Sequence, residues 1–597
     1  MKSFFKFTFA SILGVIIGGF LLLFLGIMII AGIASSADKP VTVKAKSILE
    51  IKLNNQLVDR GSDNPLADFD VLSMSPTKNI GLNTILSNIE KAKTDDKIKG
   101  IYLNVFDIPA NFGGLASIEE IRNKLKEFKT TGKFIVSYNN MGHSQKAYYL
   151  TSVADSVYLN PESMLFILGM GGERTFYRKF LEKIGVEAQV IRVGKYKSAT
   201  EQYFRDDMSD ESREQTMSYV GAMWNQILKG ISEERNISIE KLNELIDAVA
   251  IKKADDALKY GLIDGVIYQD EMNSKLRKLA GLDEDKKLRL ISSSKYAKAP
   301  DANYQFSKNK IAVIYASGAI GFEQSEDAIG PEMANTIRKA RRDSSIKAIV
   351  LRINSPGGAA NVSDFIWREV KLAAETKPVI ASMGNVAASG GYYIACPADT
   401  IVADNNTITG SIGIYGLFFS GEELIKNKVG LTTDYYGTNK HSAFGGSYPL
   451  MLPVSSRKFN RTEKEILQTV INNGYDTFLS KVAEGRNMTT EAVHEVAQGR
   501  VWNAMDAKEI GLVDVLGGLE TAINIAKEKA GIENYKIVSL PKVKDPVEAF
   551  VEELTGQAKI RIMKHELGSF YNTYEKTQNL MQLGGIQARI PYEIELD

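Results

Sequence analysis

Two glycine-rich turns in the second half of this chain have the residue types of a hydrolytic site. Asn354-Ser355-Pro356-Gly357-Gly358 and Asn385-Val386-Ala387-Ala388-Ser389-Gly390-Gly391-Tyr392 each follow an apolar run of strand character. A serine among small residues, set between a strand and a helix, lets a peptide backbone come close to its hydroxyl. The N–H of Gly390 falls at a helix N-terminus and can help bind a developing oxyanion, with the N–H of Gly358 as a second donor. Each turn also suits an ordinary tight strand-to-helix connection. The Gly-x-Ser-x-Gly elbow of many hydrolases is absent, because position 387 is alanine.

A serine nucleophile needs a base within hydrogen-bond reach. His143 and His441 are conceivable, but neither sits in a distinctive frame. Lysine serves where burial keeps it neutral, since desolvation lowers its pKa. The first half offers Val193-Gly194-Lys195-Tyr196-Lys197-Ser198-Ala199-Thr200-Glu201, after an apolar run over 188–193 and before a polar helical stretch. Spacing alone describes a solvated turn there, so the residues by themselves leave the base open. The four histidines are scattered without metal-ligand spacing, and the single cysteine, Cys396, rules out an intramolecular disulfide and cysteine-rich metal sites. No metal or other cofactor is expected. Net charge is +1, with 24% charged and 44% apolar residues, so bulk electrostatics point to no nucleic-acid partner.

The elements around these turns occur twice. Residues 95–103 (Asp-Asp-Lys-Ile-Lys-Gly-Ile-Tyr-Leu) run beside 343–351 (Asp-Ser-Ser-Ile-Lys-Ala-Ile-Val-Leu). Lys133-Phe134-Ile135-Val136-Ser137 pairs with Lys377-Pro378-Val379-Ile380-Ala381, and Tyr148-Tyr149 with Tyr392-Tyr393, both at an offset of 244. Gly261-Leu262-Ile263-Asp264 matches Gly511-Leu512-Val513-Asp514. In this register Gln145, Lys146 and Ala147 stand opposite Ser389, Gly390 and Gly391. The first half keeps the strand and the tyrosines but neither the serine nor the glycines, which confines the function to the second copy. Gly437-Thr438-Asn439-Lys440 parallels Gly194-Lys195-Tyr196-Lys197, which makes Lys440 a weaker alternative base.

Short β-rich runs alternate with amphipathic helical stretches: strands over 311–315, 348–353 and 379–383, helices over 333–342 and 365–375. That order predicts an α/β fold with largely parallel strands. The expected organisation is an N-terminal segment 1–38, a first repeat 45–285, a linker 286–308, a second repeat 309–540 and a C-terminal helical extension 541–597, with an amphipathic helix over 547–565. Residues 7–34 contain no charge, and Lys2 and Lys6 precede them. As a helix that run measures about 40 Å, enough for a hydrocarbon core of about 30 Å. A secretory leader's apolar region is only about 7–15 residues long, so an uncleaved single-pass anchor with a cytoplasmic N-terminus is expected.

Gly-x-Tyr-Lys-Ser-Ala, Asn-Ser-Pro-Gly-Gly, Ala-Ala-Ser-Gly-Gly-Tyr and Thr409-Gly410-Ser411-Ile412-Gly413 follow one another in this order. Gly499-Arg500-Val501-Trp502, Asp506-Ala507 and Gly511-Leu512-Val513-Asp514 come after them. Together they resemble the long, duplicated form of the signal peptide peptidase A family, over about residues 45–540. The resemblance implies two tandem ββα-superhelix domains of the Clp protease and crotonase kind. It implies a Ser-Lys dyad with Ser389 as nucleophile and Lys197, rather than Lys195, as base. The oxyanion donors then match Gly358 and Gly390, and a lysine-orienting serine matches Ser411. It further implies apolar peptides and released signal-peptide fragments as substrates, a homotetramer, and a body on the outer face of the inner (cell) membrane bilayer. Gln202 departs from the proline that relatives often carry. Two other classes compete. A crotonase-like acyl-CoA enzyme is disfavoured by the anchor, because CoA is cytoplasmic. A non-catalytic membrane scaffold is disfavoured by the retained Ser389, Lys197 and glycine turns.

Overall fold

The apolar runs of both halves become parallel sheets buried on both faces, which is why they read as continuous rather than alternating. The structure, a computed structural model, describes residues 4, 6–21, 41–61, 69–70, 75–76, 79–301, 306–322, 328–449, 454–542 and 585–589. In the first half a six-stranded sheet runs Gly265–Val266, Ser156–Leu159, Phe134–Asn139, Ile98–Leu103, Ser47–Ile51 and Leu290–Ser292. All its pairings are parallel. In the second half Val515–Leu516, Thr400–Ala403, Val379–Ala388, Ile346–Ser355, Lys310–Ser317 and Lys536–Leu540 follow one another in the same spatial order, again parallel. The duplication is therefore visible strand by strand. Val379–Ala388 is longer than its counterpart Phe134–Asn139, and its far end pairs with Ile408–Gly410, which is closed antiparallel by Val501–Asn503.

The blocks shared by the halves are tethers. Tyr148 and Tyr392 each donate a hydroxyl hydrogen bond to the leucine carbonyl of the downstream block, Leu262 at 2.5 Å and Leu512 at 2.9 Å. Asp264 and Asp514 accept from the N–H of Val157 and Ile401 and pair with Arg235 and Arg486. Helix Gly390–Ala395 and its counterpart Gln145–Thr151 are thereby pinned to their sheets.

The segment expected to be a linker begins as an ordered part of the first unit. Leu290–Ser292 is an edge strand beside Ser47–Ile51, and helix Ser293–Ala297 packs on helix Leu82–Thr94, with Asn88 Nδ2 2.8 Å from Ser293 O and Lys91 Nζ 2.6 Å from Tyr296 O. Three strand residues are too few to carry a period, which is why the pattern passed for a tether. Residues 6–21 are helical, and among the described residues no helix is long and apolar enough to cross a membrane. Positions 22–34 of the apolar run and the expected helix over 547–565 lie outside the described residues.

A third sheet joins the halves: Glu187–Arg192, Tyr415–Ser420, Gly585–Arg589, Gly357–Ala359, Ala319–Ile320 and Ala328–Ile329. Glu187–Arg192 comes from the first half in sequence but pairs antiparallel with Tyr415–Ser420 of the second, Arg192 opposite Tyr415. The contact between halves also contains a buried charge cluster. Arg352, fully buried, places Nε 2.7 Å from Asp59 Oδ1 and Nη2 2.7 Å from Glu120 Oε1. Asn354 donates to Asp59 Oδ2 at 2.7 Å and accepts from the Val386 N–H at 3.2 Å. Asn385 accepts from the Ser117 N–H at 3.1 Å. The two asparagines that open the glycine turns are thus anchored on the first half.

Arg352→Ala leaves Asp59 and Glu120 buried without their cation, so it lowers stability by about 3–5 kcal/mol. A thermal melt reads this as a clear drop in midpoint relative to the parent. An unchanged midpoint would contradict the role given to the cluster.

Candidate active site

Strand Val379–Ala388 is buried at every position and delivers Ser389 to the top of the second sheet. Ser389 has φ 55° and ψ −113°, a conformation an L-residue avoids at a cost of about 1–3 kcal/mol. It is held there by its N–H donating to Gly410 O and by its carbonyl accepting from the Tyr393 N–H, each at 2.8 Å. The glycines around it leave no room for a side chain. A Cβ on Gly390 would lie 2.7 Å from Ser363 Oγ, and one on Gly358 would lie 1.9 Å from Ile320 O. A Cβ on Gly357 would lie 2.6 Å from Gly390 N, so the two glycine turns abut. The expected oxyanion donors, Gly358 and Gly390, therefore belong to adjoining stretches of backbone beside Ser389.

Lys197 comes from the other half. The chain leaves strand Glu187–Arg192, turns at Gly194, and receives support from the second half: the Tyr196 N–H donates to Gln498 O at 3.0 Å. Gln215, buried, bridges the halves by donating to Tyr196 O at 2.9 Å while accepting from the Val501 N–H at 3.0 Å. The lysine stem runs through a slot that only glycine leaves open: a Cβ on Gly499 would sit 2.6 Å from Lys197 Cβ, and one on Gly413 3.3 Å from Lys197 Cδ.

Lys197 is fully buried, and its Nζ lies 2.8 Å from Ser389 Oγ, 2.9 Å from Ser411 O and 2.9 Å from Ser411 Oγ. Ser411 Oγ lies 3.2 Å from Gly499 O, to which it donates. These contacts match a neutral amine. A neutral amine in this place can donate its two hydrogens to Ser411 O and Oγ and turn its lone pair to the Ser389 hydroxyl. Desolvation by burial holds the Lys197 amine well below its ordinary value of 10.5. Ser411 keeps its place at a positive φ of 49°, with its N–H donating to Arg500 O at 2.6 Å.

The other candidates lie elsewhere. His143 is buried in the first half, with Nδ1 2.6 Å from Val105 O, and burial pushes it down to about 4. Lys440 is exposed and His441 lies in the same loop, partly exposed. Cys396 is buried, and its thiol is pushed up to about 12, so it supplies no thiolate. Sequence reasoning missed Gly413, Gly499 and Gln215 as the walls and brace of the lysine slot. The Gly499-Arg500-Val501-Trp502 block was visible as a motif, but its reason is a tertiary contact with Lys197.

The profile of Peptidase family S49 matches residues 126–283 and again 371–533, one copy in each half. Protease 4 of Haemophilus influenzae is 36% identical over 538 residues, which cover 87% of this chain and 84% of that one. The chain belongs to peptidase family S49, in its long, duplicated form. Serine protease SPPA, chloroplastic, of Arabidopsis thaliana is 35% identical over 524 residues, 86% of this chain and 74% of that protein. Protease 4 of Salmonella typhi is 34% identical over 537 residues, 87% of this chain and 81% of that protein. This S49 chain is accordingly a serine protease, and the arrangement around Ser389 is where its chemistry is sought.

A buried neutral lysine has a signature in stability. Below 10.5 the unfolded chain binds a proton on Lys197 that the folded S49 enzyme, down to its own lower value, does not. The lysine therefore costs stability that grows as pH falls through that window, by about 1.4 kcal/mol per pH unit. Lys197→Met removes the titration. Relative to the parent, its thermal midpoint is most favoured at low pH within the window and loses that advantage as pH approaches 10.5. A difference independent of pH would show that Lys197 is charged in the folded state.

Proposed function

We propose that the chain is a membrane-bound serine endopeptidase in which Lys197 and Ser389 form a Ser-Lys dyad and cleave apolar peptides, released signal peptides among them, through an acyl-enzyme. The observation that carries this reading is the 2.8 Å contact between the buried Lys197 Nζ and Ser389 Oγ. In the forward step neutral Lys197 takes the Ser389 proton as the hydroxyl oxygen attacks a peptide carbonyl. The N–H groups of Gly358 and Gly390 hold the oxyanion. Protonated Lys197 then gives its proton to the leaving amine, and water, deprotonated in turn by the lysine, releases the acyl group from Ser389. Ser411 keeps the amine aimed at Ser389 through the two contacts at 2.9 Å.

In the same proposal each half is a ββα superhelix of the Clp-protease kind. The uncharged run 7–34 anchors the chain in the inner (cell) membrane as a single pass with a cytoplasmic N-terminus. The catalytic body is extracytoplasmic, and four copies assemble over the bilayer. The uncharged run and the flanking Lys2 and Lys6 support the anchor. An anchor would keep the protease where apolar peptides partition, and the name of one similar protein, Putative signal peptide peptidase SppA of Enterococcus faecium, 33% identical over 241 residues, fits the substrate class.

The test is cleavage of a fluorogenic peptide with an apolar P1 residue by detergent-solubilised protein. Ser389→Ala falls to background, Lys197→Ala loses about 10³-fold in kcat, and Lys440→Ala keeps parental activity, all with parental melting profiles apart from the effect of Lys197 on stability. Parental activity in Lys197→Ala would move the base elsewhere, with Lys440 and His441 next. An inert parent on several such peptides would contradict the protease mechanism proposed for this site.

A further inference from the structure

Residues 498–500 run between the two turns that meet at the Lys197 amine. Gln498 O accepts from the Tyr196 N–H at 3.0 Å, on the turn that carries the lysine. The Gly499 N–H donates to Ile412 O at 2.8 Å, on the turn that carries Ser411. Arg500 reaches both sides. Its carbonyl accepts the Ser411 N–H at 2.6 Å, and its Nη1 donates to the Tyr196 hydroxyl at 3.0 Å. The same nitrogen lies 2.8 Å from Glu214 Oε1, and the Tyr196 hydroxyl donates to Glu214 Oε2 at 3.1 Å. The guanidinium also lies over two rings, 4.8 Å from the centroid of Tyr196 and 4.3 Å from that of Trp502. Trp502 is itself fixed by its indole N–H, which donates to Val496 O at 2.9 Å.

The arrangement carries costs that stability alone would not select. Ser411 is held at a φ of 49°, and Arg500 keeps a buried Nε without a hydrogen-bond partner among the described residues. The duplication points the same way. Gly261 stands opposite Gly511, and at that offset Ala250 stands opposite Arg500 and Lys252 opposite Trp502. Helices Ala254–Lys259 and Ala504–Glu509 keep the same register. The copy without the serine therefore has neither the guanidinium nor the indole at this place.

We infer that Arg500 is a positioning residue of the dyad: its guanidinium clamps Tyr196 while its main chain holds Ser411, so that the Lys197 amine is aimed at Ser389 inside a closed slot. The inference rests on the reading of Lys197 and Ser389 as base and nucleophile. Arg500 acts through its two neighbours and is not itself catalytic. Desolvation is what keeps the Lys197 amine neutral, and Tyr196, the buried residue beside it, is covered by the guanidinium. Without that cover the tyrosine is freed, water approaches the amine, and its aim is lost. The other charged groups at the clamp are Glu214, about half exposed, and Lys195, exposed, with its Nζ 5.1 Å from the Tyr196 ring centroid. Solvent screens both, so exclusion of water is the larger effect.

The experiment follows kcat and kcat/KM against pH for the full chain in detergent, on the fluorogenic peptide with an apolar P1 residue. Arg500→Met fills the space but offers Tyr196 no donor. It lowers kcat by about 10²-fold with KM nearly unchanged. Its kcat/KM still climbs with pH, but the rise moves up by about one pH unit, toward 10.5, as a less shielded amine requires. Arg500→Lys stays impaired, because an ammonium keeps the charge beside Glu214 but not the planar contact with the rings. Tyr196→Phe removes only a hydroxyl and moves the rise in the same direction. The double variant Arg500→Met/Tyr196→Phe loses no more than Arg500→Met alone, since both break one contact. Thermal melts accompany each variant, and Tyr196→Phe carries the pH test alone if Arg500→Met does not fold. A pH profile that stays where the parent has it, full activity in Arg500→Lys, or additive losses in the double variant would overturn the inference. A parent inert on the peptide contradicts the dyad and this inference with it, whereas an active parent with unmoved variants overturns this inference alone.

Discussion

The structure depends on one contact made across the chain's internal duplication: Lys197 Nζ against Ser389 Oγ, 2.8 Å apart with no exposed surface on either residue. An amine in that position is tolerable only when neutral, and it stays neutral only while water is kept out. Much of the architecture between the halves serves that exclusion. Gly413 and Gly499 let backbone close around the lysine stem, Gln215 ties Tyr196 to Val501, and Arg352 with Asp59 and Glu120 locks the first half onto the turns that begin at Asn354 and Asn385. The ion cluster is not a source of great stability in itself, since buried ion pairs roughly break even against apolar packing. Its effect is to fix where the two halves meet.

The duplication divides into what both copies need and what one needs. Both keep the tyrosine-to-leucine-carbonyl tether and the aspartate that caps a strand N–H, because both must hold a helix on a parallel sheet. Only the second keeps Ser-Gly-Gly. In the first copy Ser144 caps helix Gln145–Thr151 by accepting from the Ala147 N–H, and Gln145 accepts from the N–H groups of Leu168 and Gly169. The corresponding turn there is ordinary structure. In exchange, the first copy sends Glu187–Arg192 into a sheet with the second copy and so carries the lysine to the serine.

The sheets were legible because parallel strands buried on both faces must be apolar throughout, as Val379–Ala388 is. The serine turn was legible because close backbone approach demands glycine, and its absence from the first copy marked it as functional. Leu290–Ser292 was not legible, because three residues carry no period and their partner Ser47–Ile51 lies more than two hundred residues away. The choice among Lys195, Lys197 and Lys440 was not legible from local pattern either. It is made by burial, and the walls of the slot, Gly413 and Gly499, come from the other half. The strand Gly585–Arg589, in a stretch expected to be helical, shows the same limit, since Ile586 and Ala588 are placed only by packing against the second-half core.

The most direct test of the account is the rate at which Ser389 is phosphonylated by a fluorophosphonate, with loss of fluoride, followed against pH in the parent and in Lys197→Met. The account predicts a parental rate that climbs with pH as the Lys197 amine loses its proton and levels off well below 10.5, and a slow, flat rate in the variant. A parental rate still climbing near 10.5, or a variant that keeps the parental profile, would contradict a neutral buried lysine as the base that activates Ser389.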